Sequence, residues 1–164
     1  MVICAHTFMF ADLCDYTEYT WRHGDDRSAE LAVGFHQLVR NLAADECCEV
    51  VKTIGDGVMV RAPDCPNALR LAQRIHAELT ALGYPKVRIG IDTGPAVPCD
   101  GDWYGTTVNR AARVAEAAGP GELLLTEPVR EAARATFEIE LVERGPRPLK
   151  GLPDCSLHAA KAAA

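Results

Sequence analysis

Asn109 and Arg113 stand four residues apart in the run Asp102-Trp103-Tyr104-Gly105-Thr106-Thr107-Val108-Asn109-Arg110-Ala111-Ala112-Arg113. On a helix, side chains at that spacing share a face, so an amide and a guanidinium fork point the same way. The pair suits a ribose and a phosphate that gains charge during a reaction. The same spacing equally describes the polar face of an ordinary amphipathic helix. Asp102, ahead of the Gly105 turn, adds a carboxylate to the same stretch.

Two further carboxylates are Asp12, after the apolar run Val2–Ala11, and Asp56, inside Gly55-Asp56-Gly57. In a β-α-β-β-α-β fold the first strand and the central hairpin are neighbours, which brings both to one rim. Paired carboxylates with nearby carbonyls bind hard divalent cations, and paired magnesium-type ions activate an attacking oxygen and stabilise a leaving one. Each aspartate taken singly also has a structural reading. Asp12 flanks a turn, and Asp-Gly is a common hairpin dipeptide. Lys52 lies four residues before Asp56, and strand alternation puts Lys52, Ile54 and Asp56 on one side. An ammonium there can meet a purine acceptor, balance a phosphate, or simply guard an edge strand. Lys150, in Pro148-Leu149-Lys150-Gly151, sits in a late loop from which it can reach a phosphate, as an ordinary surface lysine would.

The elements that must hold these residues follow from hydrophobic period and turn chemistry. Val2–Ala11 reads as a buried strand. Asp26 and Ser28 offer starts for a helix over Ala29–Ala44, with Leu31, Phe35, Leu38, Val39 and Leu42 as its stripe. Glu49–Ile54 and Val58–Ala62 are β-rich runs joined through Gly55-Asp56-Gly57. Asn67–Leu82 is a second helix stopped by Gly83, and Val87–Asp92 a strand closed by Thr93-Gly94-Pro95. The helix of Asn109 and Arg113 ends near Gly119-Pro120-Gly121. Glu122–Thr126 then reads as a strand, Pro128–Ala135 as a short helix, and Phe137–Val142 and Leu157–Ala160 as late strands. This order specifies an α+β fold: a ferredoxin-like βαββαβ core with a C-terminal extension, its antiparallel or mixed sheet carrying helices on one face.

The bulk properties narrow the function. A chain of 164 residues, 48% hydrophobic, suits one domain over 1–164 with its own core. A net charge of −6 argues against a nucleic-acid surface, and no apolar run is long enough for a membrane span. The start lacks the charged flank of a signal peptide. Seven cysteines without a C-x-x-C pair argue against a disulfide framework or a zinc site and fit reduced thiols in the cytoplasm. Cys47 and Cys48 read as apolar residues flanking a strand, and His6 as a core histidine. Walker, Rossmann and G-x-S-x-G patterns are absent. The residues by themselves point to a metal-assisted reaction on a nucleotide-like phosphate ester.

Phe10-Ala11-Asp12-Leu13, Lys52-Thr53-Ile54-Gly55-Asp56-Gly57, Gly90-Ile91-Asp92-Thr93-Gly94-Pro95, Gly105-Thr106-Thr107-Val108-Asn109 and Ala112-Arg113 resemble, in order and spacing, a class III nucleotidyl cyclase catalytic domain of the bacterial, stand-alone mycobacterial-like kind. The resemblance runs from about Phe8 to the end and implies a head-to-tail homodimer with composite sites. It implies that Asp12, Leu13 and Asp56 of one subunit hold two divalent ions, Mg or Mn. Lys52 and Asp102 of the other subunit would read the base. Asn109 would position the ribose, Arg113 would stabilise the α-phosphate, and Lys150 would contact the terminal phosphates. The implied reaction is attack of the 3′-hydroxyl of ATP on the α-phosphorus, giving 3′,5′-cyclic AMP and pyrophosphate. A catalytically silent nucleotide-binding module and a guanylyl cyclase are the alternatives. No regulatory domain is expected beside it. Two departures stand out: only Pro98-Cys99-Asp100-Gly101 separates Val97 from Asp102, and Asp92 replaces a His common in the family, an exchange expected to be catalytically silent.

Overall fold

The structure, a computed structural model, describes residues 4–135 and 139–160. In chain order its elements begin β1 (His6–Leu13), α1 (Tyr16–His23), α2 (Asp25–Asp45), β2 (Glu49–Ile54), β3 (Gly57–Ala62), α3 (Cys65–Ala81) and β4 (Val87–Gly94). They continue β5 (Val97–Cys99), β6 (Asp102–Tyr104), α4 (Thr106–Ala117), β7 (Leu123–Thr126), α5 (Glu127–Ala133), β8 (Leu141–Leu149) and β9 (Leu152–Ala160). Seven strands form one sheet in the order β2-β3-β1-β4-β7-β9-β8, and β5 and β6 pair separately. The first four positions, β2-β3-β1-β4, are the expected ferredoxin-like core; the extension adds the parallel β4–β7 pair and the β8–β9 hairpin.

β1 shows why the sheet is covered twice. Met9, Ala11 and Leu13 join a cluster with Phe35 of α2, Leu69 and Ile75 of α3 and Val129 of α5. Phe8 and Phe10 point the other way, toward Val108 and Ala111 of α4. The expectation that all helices share one face is therefore corrected: among the described residues, α4 alone covers the opposite face. An apolar helical stripe demands cover, but its period does not say which side of the sheet supplies it.

Local chemistry sets the boundaries. Asp64 caps α3 by accepting from the Asn67 N–H at 2.8 Å, and Gly83 turns the chain away at φ 69°. β1 runs two residues beyond the expected Ala11, so Asp12 belongs to the strand itself. Helix α1 was not anticipated, because it buries no side chain and leaves Trp21 87% exposed. The late strands differ most. β8 runs through Gly145, Pro146 and Pro148, which a central strand would not tolerate but a sheet edge does. Of the expected Phe137–Val142 strand, Phe137 and Glu138 lie outside the described residues, as do Val2 and Ile3 of the first. No helix among the described residues is long and apolar enough to cross a membrane.

Candidate active site

Asp12 continues the Phe8 and Phe10 row of β1, opposite Gly57 on β3 and Arg88 on β4. A β-carbon at Gly57 would overlap Asp12 Oδ1, so this position holds the carboxylate only if it carries no side chain. Arg88 Nη2 lies 3.7 Å from Asp12 Oδ2. Burial raises the pKa of Asp12 above its ordinary value, the negative charge of Asp56 raises it further, and Arg88 opposes both. Two carboxylates in electrostatic conflict at a half-buried rim are a fitting donor set for a hard divalent cation. The Leu13 side chain is buried in the core, so Leu13 can serve only through its carbonyl. Among the described residues no cluster of three or more His, Cys, Asp or Glu is present, which leaves further ligand oxygens to backbone, water or substrate. A cleft of about 780 Å³ opens here, lined by Cys14, Thr17, Trp21, Asp56 and Arg88 among others.

A second polar centre lies one strand beyond β3. The β5–β6 hairpin places Asp102 beside β2, where Lys52 Nζ donates to Asp102 Oδ2 at 2.5 Å. Asp102 Oδ1 accepts from the Trp103 N–H at 2.8 Å. These bonds, the lysine's first, hold the Asp102 pKa below its ordinary value. Trp103 anchors the hairpin: its ring lies 4.5 Å from the His6 ring and 4.9 Å from the Arg61 guanidinium carbon. His6 is thus partly exposed against Trp103 and not in the core, because the strand-end rim is open there. Lys52 and Asp56 are not related by simple alternation. Lys52 and Ile54 alternate regularly along β2, but Asp56 lies beyond the strand, in the turn that follows it.

Helix α4 carries the expected pair. It starts after Gly105, whose φ of 136° strongly favours glycine, and it leaves Asn109 exposed. Arg113 Nη1 donates to both carboxylate oxygens of Glu116, at 3.0 and 2.8 Å. Lys150 is exposed in the β8–β9 turn, and its neighbour Leu149 packs with Val114 and Ala118 at the C-terminal end of α4. No hydrogen bond or ion pair among the described residues joins Lys150 to the other candidates.

The profile of the family described as "Adenylate and Guanylate cyclase catalytic domain" matches residues 4–161. The chain belongs to that family. It is 35% identical over 150 residues to the pH-sensitive adenylate cyclase MT1302 of Mycobacterium tuberculosis, covering 89% of this chain and 38% of that protein. To an adenylate cyclase of Streptomyces griseus it is 34% identical over 140 residues, covering 85% of this chain and 33% of that one. This cyclase domain thus spans about a third of the length of the relatives it matches. Its fold is that of the adenylyl cyclase CyaB from P. aeruginosa, with a TM-score of 0.85 at 19% identity over 98% of this chain and 95% of that one. It is equally close to the guanylate cyclase domain of RhGC from Catenaria anguillulae in complex with GTP, with a TM-score of 0.85 at 19% identity over 99% and 98% of the two chains. Fold similarity therefore leaves the choice of base to the side chains.

The cyclase domain brings Asp12 to Asp56, Lys52 to Asp102 and Asn109 to Arg113, in three separate pairs. β1 and β2 flank β3 and Lys52 is level with Phe10, two residues from Asp12, so the Asp12 and Lys52 backbones are roughly 12 Å apart. Sequence reasoning did not single out Arg88, Glu116 or Trp103. Arg88 faces Asp12 only through strand register, and no local pattern reveals that. Trp103 carried a usable signal: a large aromatic beside the candidate Asp102.

Proposed function

We propose that this cyclase domain converts ATP to 3′,5′-cyclic AMP and pyrophosphate at the interface of a head-to-tail homodimer. The contact between Lys52 and Asp102 carries the reading. Adenine offers an acceptor at N1 and a donor at its 6-amino group, and a lysine donor beside an aspartate acceptor complements that pattern. Guanine presents O6 and N1–H, the reverse. The depressed Asp102 pKa keeps its carboxylate ionised as the acceptor.

Asp12, Asp56 and the Leu13 carbonyl would hold two Mg or Mn ions, whose chemistry there would be activation of the attacking oxygen and neutralisation of phosphate charge. The remaining work belongs to positioning and electrostatics. Asn109 orients the ribose so that the 3′-oxygen, its proton passing to solvent, attacks the α-phosphorus in line, while the bond from the α-phosphorus to the departing pyrophosphate breaks on the opposite side. Arg113 exchanges Glu116 for an α-phosphate oxygen, and Lys150 meets the terminal phosphates. Support for a second copy comes from the surface. Ile54 sits between Lys52 and Asp56, Val97 and Tyr104 flank the Asp102 hairpin, and all three are exposed. Covering them with another subunit would join one copy's carboxylate rim to the other's base-reading rim.

The test is complementation. Asp12→Ala and Asn109→Ala should each abolish cyclic nucleotide formation with Mn²⁺ and ATP, read by chromatography. An equimolar mixture should recover activity, because one composite site per heterodimer is intact. A mixture that dimerises and stays inactive refutes the shared site. A wild-type chain that dimerises yet makes no cyclic nucleotide from either ATP or GTP identifies a silent nucleotide-binding module, and product from GTP alone identifies a guanylyl cyclase.

A further inference from the structure

Strand β4 meets α4 through alternate residues. A β-carbon on Gly90 would overlap the Ala115 backbone, and one on Gly94 would lie 2.7 Å from Thr107 Oγ1. The helix therefore lies against the strand at both ends of this track. Between the two glycines, Asp92 is fully buried. Its Oδ2 accepts from Arg110 Nε at 2.7 Å and its Oδ1 from Thr126 Oγ1 at 2.6 Å. Thr107 Oγ1 adds a bond to the Pro95 carbonyl at 2.8 Å.

Apolar packing is non-directional, and by itself it leaves a helix some freedom to roll. A charge-assisted bond from a planar guanidinium is directional and removes that freedom. Side-chain atoms lie about 6 Å from a helix axis, so a roll of about 10° displaces them by about 1 Å. Arg110 is the residue next to Asn109 and three before Arg113, so a roll at Arg110 is a displacement of both.

We propose that Asp92 and Arg110 form a positioning pair that fixes the roll of α4 and so aims Asn109 and Arg113. The inference rests on the reading of those two as substrate-contacting groups. On it, the Asp92 exchange expected to be silent is a working part of the site, held through Arg110 without touching substrate.

The experiment compares wild type with Asp92→Asn, Arg110→Gln and the double variant, all assayed well below their melting midpoints. Each single variant should lower kcat about 10²-fold with KM changed less than about threefold. The double variant should be no worse than the more damaged single one, because the two residues act as a unit. Hydrogen exchange should show α4 amides losing protection while α3 amides keep theirs. Arg110→Lys retains the charge without the fork and should fall between wild type and Arg110→Gln. It also keeps the test decisive if Asp92→Asn does not fold. Folded variants whose kcat stays within about threefold of wild type overturn the proposal. So does α4 protection that falls only in step with α3. If the wild type itself makes no cyclic nucleotide, the proposed function fails, and the exchange comparison alone decides the pair.

Discussion

Asp12 and Asp102 lie on either side of β3 and have opposite electrostatic situations. Asp12 is pressed by burial and by Asp56, with Arg88 only partly compensating, and its pKa is raised. Asp102 is satisfied by Lys52 and the Trp103 N–H, and its pKa is lowered. One rim stores repulsion that a bound cation would relieve. The other rim is neutralised within its own chain, and in the proposed reaction it would trade those internal bonds for bonds to substrate. On the proposed function, the rim under electrostatic pressure is the one that would receive a cation.

The sharpest way to break the contrast is Gly57→Ala, whose methyl group displaces the Asp12 carboxylate while leaving its charge in place. Cyclic nucleotide formation should fall about 10²–10³-fold in a folded protein. Turnover within about tenfold of wild type would remove Asp12 from the metal role. The next effect is on the other rim. Lys52→Glu replaces the proposed donor to adenine N1 with an acceptor, so the ATP-to-GTP ratio of kcat/KM should drop about 10–200-fold. An unchanged ratio in paired assays would end the base-reading role of the Lys52–Asp102 contact.

The smallest effects are on stability, and their signs differ. A carboxylate with a raised folded pKa costs stability as pH climbs through the window between its ordinary and raised values, and the cost persists above it. Asp12→Asn should therefore raise the melting midpoint at neutral pH, with the gain vanishing at pH below the ordinary carboxylate range. A carboxylate with a lowered folded pKa stabilises above its ordinary pKa, and that stability is lost as pH falls through the folded value. Asp102→Asn should accordingly lower the midpoint at neutral pH and lose its effect in acid. Melting curves of both variants across pH check the comparison directly; shifts of the same sign would undo it.

Local pattern determined much of this protein. The Gly55-Asp56 turn, the amphipathic stripes of α2 and α3 and the i, i+4 relation of Asn109 and Arg113 each depend on residues close in the chain, and each was legible. The motifs also named Asp12, Asp56, Lys52 and Asp102 as candidates before any contact was known. Tertiary structure alone decided that α4 covers the face opposite the other helices. It also decided that Lys52 bonds Asp102 across 50 residues and that Arg88 stands opposite Asp12. The β5–β6 hairpin escaped notice because its strands are three residues each, too short for a period. Strand register and helix roll are set by the packing of distant apolar rows. A sequence records which residues need partners, and only the packed sheet chooses the partners.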